Sequence, residues 1–95
     1  MRILIVGKGG REHALAWAIK KSKYTEELYV APGNAGISNI AEIVNISEKD
    51  IRSLASFAEK KNIDLTIVGP EVPLSLGIVD YFRKRDLRIF GPTLE

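Results

Sequence analysis

The chain is predicted to fold as an α/β domain built on an open, mostly parallel sheet of about five strands. Three observations lead there. Short apolar runs rich in β-branched residues recur at 2–6, 28–30, 41–45, 64–68 and 88–90. Helical stretches fill most of the gaps between them. Glycine- or proline-bearing turns follow four of the five runs. Strands that alternate with helices require parallel pairing through right-handed crossovers.

Each element has its own signature. Arg2 to Val6 is a buried-strand run, followed by Gly7-Lys8-Gly9-Gly10. Arg11 to Lys21 reads as a helix, apolar over much of its surface, which suits cover on more than one side. Leu28 to Val30 is the second strand. The link 31–40 is too short for an obvious helix and holds Pro32-Gly33-Asn34-Ala35-Gly36, read as a long functional loop. Ala41 to Asn45 is the third strand. Ser47 to Lys61 is the clearest helix, with Ile51, Leu54, Ala55 and Ala58 at i, i+3, i+4, i+7. Ser47 and Asp50 resemble a capping box with Asp in place of Glu. Asp64 to Val68 is the fourth strand. A third helix is expected from Pro73, which suits a first turn. Its Ile78, Val79 and Phe82 face inward, and Lys84 and Arg85 close the last turn. Gly77 inside it costs about 1 kcal/mol against Ala, explicable by close packing on the sheet. Arg88 to Phe90 is the last strand. There is no internal repeat.

Composition narrows the function. Ninety-five residues make one domain, and a chain of this size buries roughly 65% of its unfolded surface. With no cysteine and one histidine there is no disulfide framework and no thiolate or histidine-rich metal site. Formal charge is +2 with basic residues dispersed, so no nucleic-acid stripe is expected. Lys20, Lys21 and Lys23 read as a solvated helix end that complements its dipole. No apolar run approaches the roughly 20 residues of a membrane span. A strand at the N-terminus is not a signal peptide, and a cytoplasmic location is expected.

The chemistry gathers at one edge. Ligands of open parallel sheets bind beyond the carboxyl ends of the strands. Four unusual loops belong there: Gly7 to Gly10, Pro32 to Gly36, Gly69-Pro70-Glu71-Val72-Pro73 and Gly91-Pro92-Thr93. The first precedes a helix, whose free N–H groups and partial positive charge suit an anion. A dinucleotide reading fails twice. Glu12 stands where the fingerprint needs a third small residue, and the second strand ends Val30-Ala31-Pro32 without an acid. No Gly-Lys-Ser/Thr closes a phosphate loop either. Arg11 either faces a bound anion or pairs with a neighbouring acid. His13 reads as a first-turn packing or hydrogen-bonding residue and not a catalyst. Glu71 can accept hydrogen bonds from sugar hydroxyls or an amine, or cap the helix behind it. Asn34 can serve the same cleft or shape a turn.

These residues resemble a known family. Gly7-x-Gly9-Gly10-Arg11-Glu12-His13-Ala14 looks like the start of phosphoribosylamine–glycine ligase, also called glycinamide ribonucleotide synthetase. Tyr29 to Gly36 is similar to that family's second block, Asp64 to Leu74 to its third, and Phe90 to Thr93 to its fourth. Lys8 departs from the small residue usual there. The family joins phosphoribosylamine to glycine with ATP, in purine biosynthesis. The resemblance implies that 1–95 is the Rossmann-like N-terminal domain preceding the ATP-grasp domains, which lie outside this chain. Those domains would carry ATP and Mg2+ or Mn2+ and perform the chemistry. This domain would carry no cofactor, no metal and no catalytic residue. It would bind phosphoribosylamine or glycinamide ribonucleotide, weakly in isolation, through Gly9, Gly10, Arg11, Glu12, Pro32, Gly33, Asn34, Gly36, Gly69, Pro70 and Glu71. Its partners would be those ATP-grasp domains, with self-association through the face they leave uncovered, and neither nucleic acid nor membrane. Leu94-Glu95 is either native or a remnant of expression.

Three other readings compete. A nucleotide-binding oxidoreductase module is opposed by Glu12 and the acid-free second strand. A non-catalytic folding or interaction module would show an exposed apolar face and self-association. The matching domain of another ATP-grasp ligase would share the fold but not the Gly-Gly-Arg-Glu-His and Pro-Gly-Asn-Ala-Gly blocks.

Overall fold

A computed structural model of the chain describes residues 1–69 and 71–91, without the side chain of Glu71. Five strands form one parallel sheet: β1 (Arg2–Gly7), β2 (Glu27–Pro32), β3 (Glu42–Ile43), β4 (Leu65–Val68) and β5 (Ile89–Phe90). Their order is β3-β2-β1-β4-β5. The helices are α1 (Gly10–Lys20), α2 (Ile51–Lys60), α3 (Glu71–Ser75) and α4 (Ile78–Lys84), with a 3-10 turn at Ile37–Asn39. The chain steps outward from β1 to β3, then returns to the other side of β1. The loops leaving β1 and β4 therefore diverge, and a crevice opens between them at the switch point.

Alternation along the strands sorts the core into two layers. Leu4, Val6, Tyr29, Ala31 and Val68 pack against Leu54, Ala55 and Ala58 of α2 and Ile78 and Phe82 of α4. Ile3, Ile5, Leu28 and Val30 meet Ala16 of α1 and Ile37. Each large side chain so buried contributes about 1.5–3 kcal/mol. Tyr29 stacks edge-on against Phe57, centroids 5.3 Å apart at 77°. Its hydroxyl donates to Glu27 Oε2 at 2.6 Å. That bond, then burial, raises its pKa from 10.0 to about 12.

Three sequence expectations are corrected. Helix α1 is covered on one side only. Glu12 and Ala16 are buried, whereas Ala14, Trp17 and Ala18 are exposed. Alanine favours helix without demanding burial, so its abundance misleads here. Trp17 lies under Lys21, whose Nζ is 3.3 Å from the ring centroid. Helix α2 begins at Ile51, not Ser47. Asp50 is the cap, its carboxylate accepting from Ser53 N–H at 3.2 Å and Ser53 Oγ at 2.8 Å. Those bonds lower the Asp50 pKa. Ser47 instead holds a turn, accepting from Asp50 N–H at 3.0 Å and Lys49 N–H at 3.1 Å. The third helix is two. Gly77, at φ +83°, separates α3 from α4. A Cβ on Gly77 would meet nothing within 4 Å, so its service is the left-handed turn and not close packing.

The link after β2 contains the short 3-10 turn, whose Ile37 is fully buried. The Ala31–Pro32 peptide is cis. On the α1 side, no described element covers β4 and β5. There Leu65 and Ile67 are half-buried and Phe90 is 67% exposed.

Candidate functional site

The loops after β1, β2 and β4 meet at the carboxyl edge. Register makes this inevitable: Gly7 lies beside Pro32, and Val6 beside both Ala31 and Val68. Gly33 N–H donates to Gly7 O at 2.9 Å. Asn34 Nδ2 donates to Lys8 O at 2.6 Å, and its Oδ1 accepts from Ile37 N–H at 3.1 Å. Asn34 thus both shapes its own turn and staples the second loop to the first. Gly36 admits the His13 ring, since a Cβ there would be 3.2 Å from Cε1. His13 is a packing residue of the first turn, half-buried against the second loop.

The first loop is organised around Glu12. Gly9 occupies the N-cap of α1 and has no side chain to cap with. Glu12, three residues on, reaches back so that its Oε2 accepts Gly9 N–H at 3.0 Å. That is half of a capping box. The carboxylate sits in the crevice between β1 and β4. A Cβ on Gly7 would lie 2.3 Å from Glu12 Cγ, and one on Gly69 2.6 Å from Oε1. Gly7 has φ +149° in addition. Glycine at both positions lets backbone close around the acid. The residue that excludes a dinucleotide fingerprint is therefore the one that holds the loop.

Above this floor lies a cleft of about 290 Å³ lined by Lys8, Gly9, Gly10, Arg11, Glu12 and Glu48. Lys8 Nζ is 3.8 Å from Glu48 Oε1. Arg11 is exposed and pairs with no acid among the described residues. Sequence reasoning missed Glu48. It arrives from the loop before α2, and no local pattern places it beside the first loop. Of the residues expected at the site, Gly9, Gly33, Asn34, Gly36 and Gly69 stand on these three loops, Pro32 ends β2, and Gly10, Arg11 and Glu12 open α1. Pro70, the Glu71 side chain, Pro92 and Thr93 lie outside the described residues. A larger groove, about 710 Å³, runs along β4 and β5 past Leu65, Ile67, Leu87 and Phe90 and includes none of the loop residues. Its lining also carries Arg83, Asp86 and Arg88, and it lies away from the three loops.

No cluster of three or more His, Cys, Asp or Glu side chains gathers among the described residues. No described helix is long and apolar enough to cross a membrane.

Comparison with known proteins agrees with the geometry. The family described as phosphoribosylglycinamide synthetase, N domain, matches residues 1–95. A phosphoribosylamine–glycine ligase from Haemophilus influenzae is 56% identical over 95 residues, covering 98% of this chain and 22% of that protein. One from Halalkalibacterium halodurans is 53% identical over 93 residues, with the same coverage. The crystal structure of phosphoribosylamine–glycine ligase from Thermotoga maritima superposes with a TM-score of 0.62 at 26% identity, covering 98% of this chain and 20% of that one. The chain thus spans about a fifth of the length of the ligases it matches. A family match over the whole sequence shows that this chain belongs to the phosphoribosylglycinamide synthetase N-domain family.

Proposed function

We propose that this domain positions phosphoribosylamine for its ATP-dependent joining to glycine in de novo purine biosynthesis. The observation that carries the reading is the stapling of the first two loops at the switch-point edge. Asn34 and Gly33 fix them to Lys8 and Gly7, so a ligand there meets a preformed surface. Membership in the phosphoribosylglycinamide synthetase N-domain family supports phosphoribosylamine as that ligand.

In this reading Gly9, Gly10 and Arg11 form one wall, with Glu12 beneath them. Pro32, Gly33, Asn34 and Gly36 form the second wall. Gly69, Pro70 and Glu71 form the third, Glu71 taking ribose hydroxyls or orienting the amine. The contribution is orientation, holding an amine where an activated carboxylate can meet it. ATP, its metal and the activation of glycine belong to polypeptide beyond this domain, in the cytoplasm. That polypeptide also covers the apolar groove along β4 and β5, and the domain alone self-associates through it.

Binding by the domain alone is expected near the millimolar range, because part of the pocket is elsewhere and ordering costs remain. Titrating the 15N-labelled chain with glycinamide ribonucleotide tests the assignment. Amide shifts should concentrate in 8–13, 32–37 and 69–71. Shifts confined to other residues, or none, would overturn it.

A further inference from the structure

Glu12 is an unusual acid. Its residue is only 6% exposed, yet no cationic side chain pairs with it among the described residues. One oxygen, Oε2, is engaged by Gly9 N–H. The other, Oε1, accepts no hydrogen bond among the described residues and stands against Gly69 at the mouth of the switch-point crevice. The same residue lines the polar cleft.

The charges around it matter. A helix N-terminus carries about half a positive charge, which normally invites phosphate. Here a full negative charge is already built into the first turn and held on the Gly9 amide. Lys8 is offset by Glu48 at 3.8 Å, and Arg11 stands beside Glu12 in sequence. The four charged side chains lining the cleft therefore carry no net formal charge. A phosphate dianion gains little from such a rim and is repelled by the carboxylate beneath it. A hydrogen-bond donor, especially a cationic one, meets an acceptor with no protein partner among the described residues.

We propose that Glu12 is a specificity-determining residue that makes the first loop read donors instead of phosphate. Its Oε1 accepts a hydrogen from the amine or hydroxyl end of the ligand, and its charge directs the phosphate end away from Gly9 and Gly10. The inference rests on the sugar-phosphate amine reading above and adds which end of the molecule this loop meets.

The test uses the 15N-labelled chain, its Glu12→Gln variant and two probes at constant ionic strength. Inorganic phosphate, raised to about 50 mM, should leave the Gly9 and Gly10 amides of the wild-type chain unmoved. In Glu12→Gln it should produce saturable shifts there, from binding tightened at least about tenfold by loss of the nearby charge. Glycinamide ribonucleotide should bind Glu12→Gln about tenfold more weakly. Saturable phosphate shifts at Gly9 and Gly10 in the wild-type chain would overturn the proposal. So would equal indifference of both proteins to phosphate, or unchanged affinity for glycinamide ribonucleotide. The wild-type phosphate arm needs no substitution and decides the matter if Glu12→Gln does not fold. Failure of the ligand reading is separate: glycinamide ribonucleotide would then move no loop amide in either protein, while the phosphate arms still report on Glu12.

Discussion

Replacing Gly69 by Ala isolates one contact between two loops. The new Cβ would lie 2.6 Å from Glu12 Oε1 and 3.5 Å from its Cδ. The first distance is well inside van der Waals contact. The side chain that must yield is buried and tied to Gly9. Overpacking of this kind costs about 1–3 kcal/mol. The stiffer unfolded chain of an alanine variant returns about 0.4–1 kcal/mol, leaving a net loss near 1–2 kcal/mol. A domain of this length has roughly 5–14 kcal/mol in total, so the variant should still fold. Urea unfolding followed by far-ultraviolet circular dichroism should show a midpoint lower by about 1 M, taking a slope near 1–2 kcal/mol/M. The decisive measurement is the cycle with Glu12→Ala. In that background no carboxylate opposes the Cβ, and Gly69→Ala should cost nothing or stabilise slightly. An equal loss in both backgrounds would refute the idea that Glu12 is what keeps position 69 bare.

Three further outcomes follow from the same structure. Gly7→Ala meets Glu12 Cγ at 2.3 Å and also forces φ +149° on an L-residue; it should cost about 3 kcal/mol or more, and Glu12→Ala should recover only the steric share. Thr66 is 1% exposed, and its Oγ1 has no partner among the described residues. Thr66→Val should therefore raise stability by about 0.5–1 kcal/mol, seen as a few degrees in Tm. Tyr29, with its folded pKa raised to about 12, contributes stability that is complete below pH 10 and lost as pH rises through 12. Its hydroxyl points to an exposed carboxylate, so screening should hold that loss to about 1 kcal/mol. Phenolate absorbance should show a late-titrating tyrosine that disappears in Tyr29→Phe.

Much of this could be read before the fold was known, because the signals were local. Buried β-branched runs placed all five strands to within a few residues. The i, i+3, i+4, i+7 stripe of Ile51, Leu54, Ala55 and Ala58 named the inner face of α2. Glycine and proline after β1, β2 and β4 marked the edge where those three loops meet. What escaped depended on tertiary choice. Ser47 and Asp50 are both competent caps, and the helix starts after Asp50, whose carboxylate takes Ser53 N–H. Gly77 tolerates helix interior or left-handed turn, and it takes the turn at φ +83°. Glu12 appeared as a ligand residue on equal terms with Arg11. Its inward course follows from Gly7 and Gly69, 62 residues apart in sequence, leaving room on either side. Glu48 joined the cleft through a crossover that no motif encodes.

The cation-stacked indole on the outer face of α1 has a practical consequence. It is the chain's one tryptophan, and 54% of it is already exposed in the folded state. Its emission will change little when the core melts, so fluorescence denaturation curves will under-report unfolding of this domain. The same ring becomes a clean sensor of contact from outside. Any surface that settles on α1 must displace Lys21 and dry the indole, and a blue shift without loss of helicity will register that event alone.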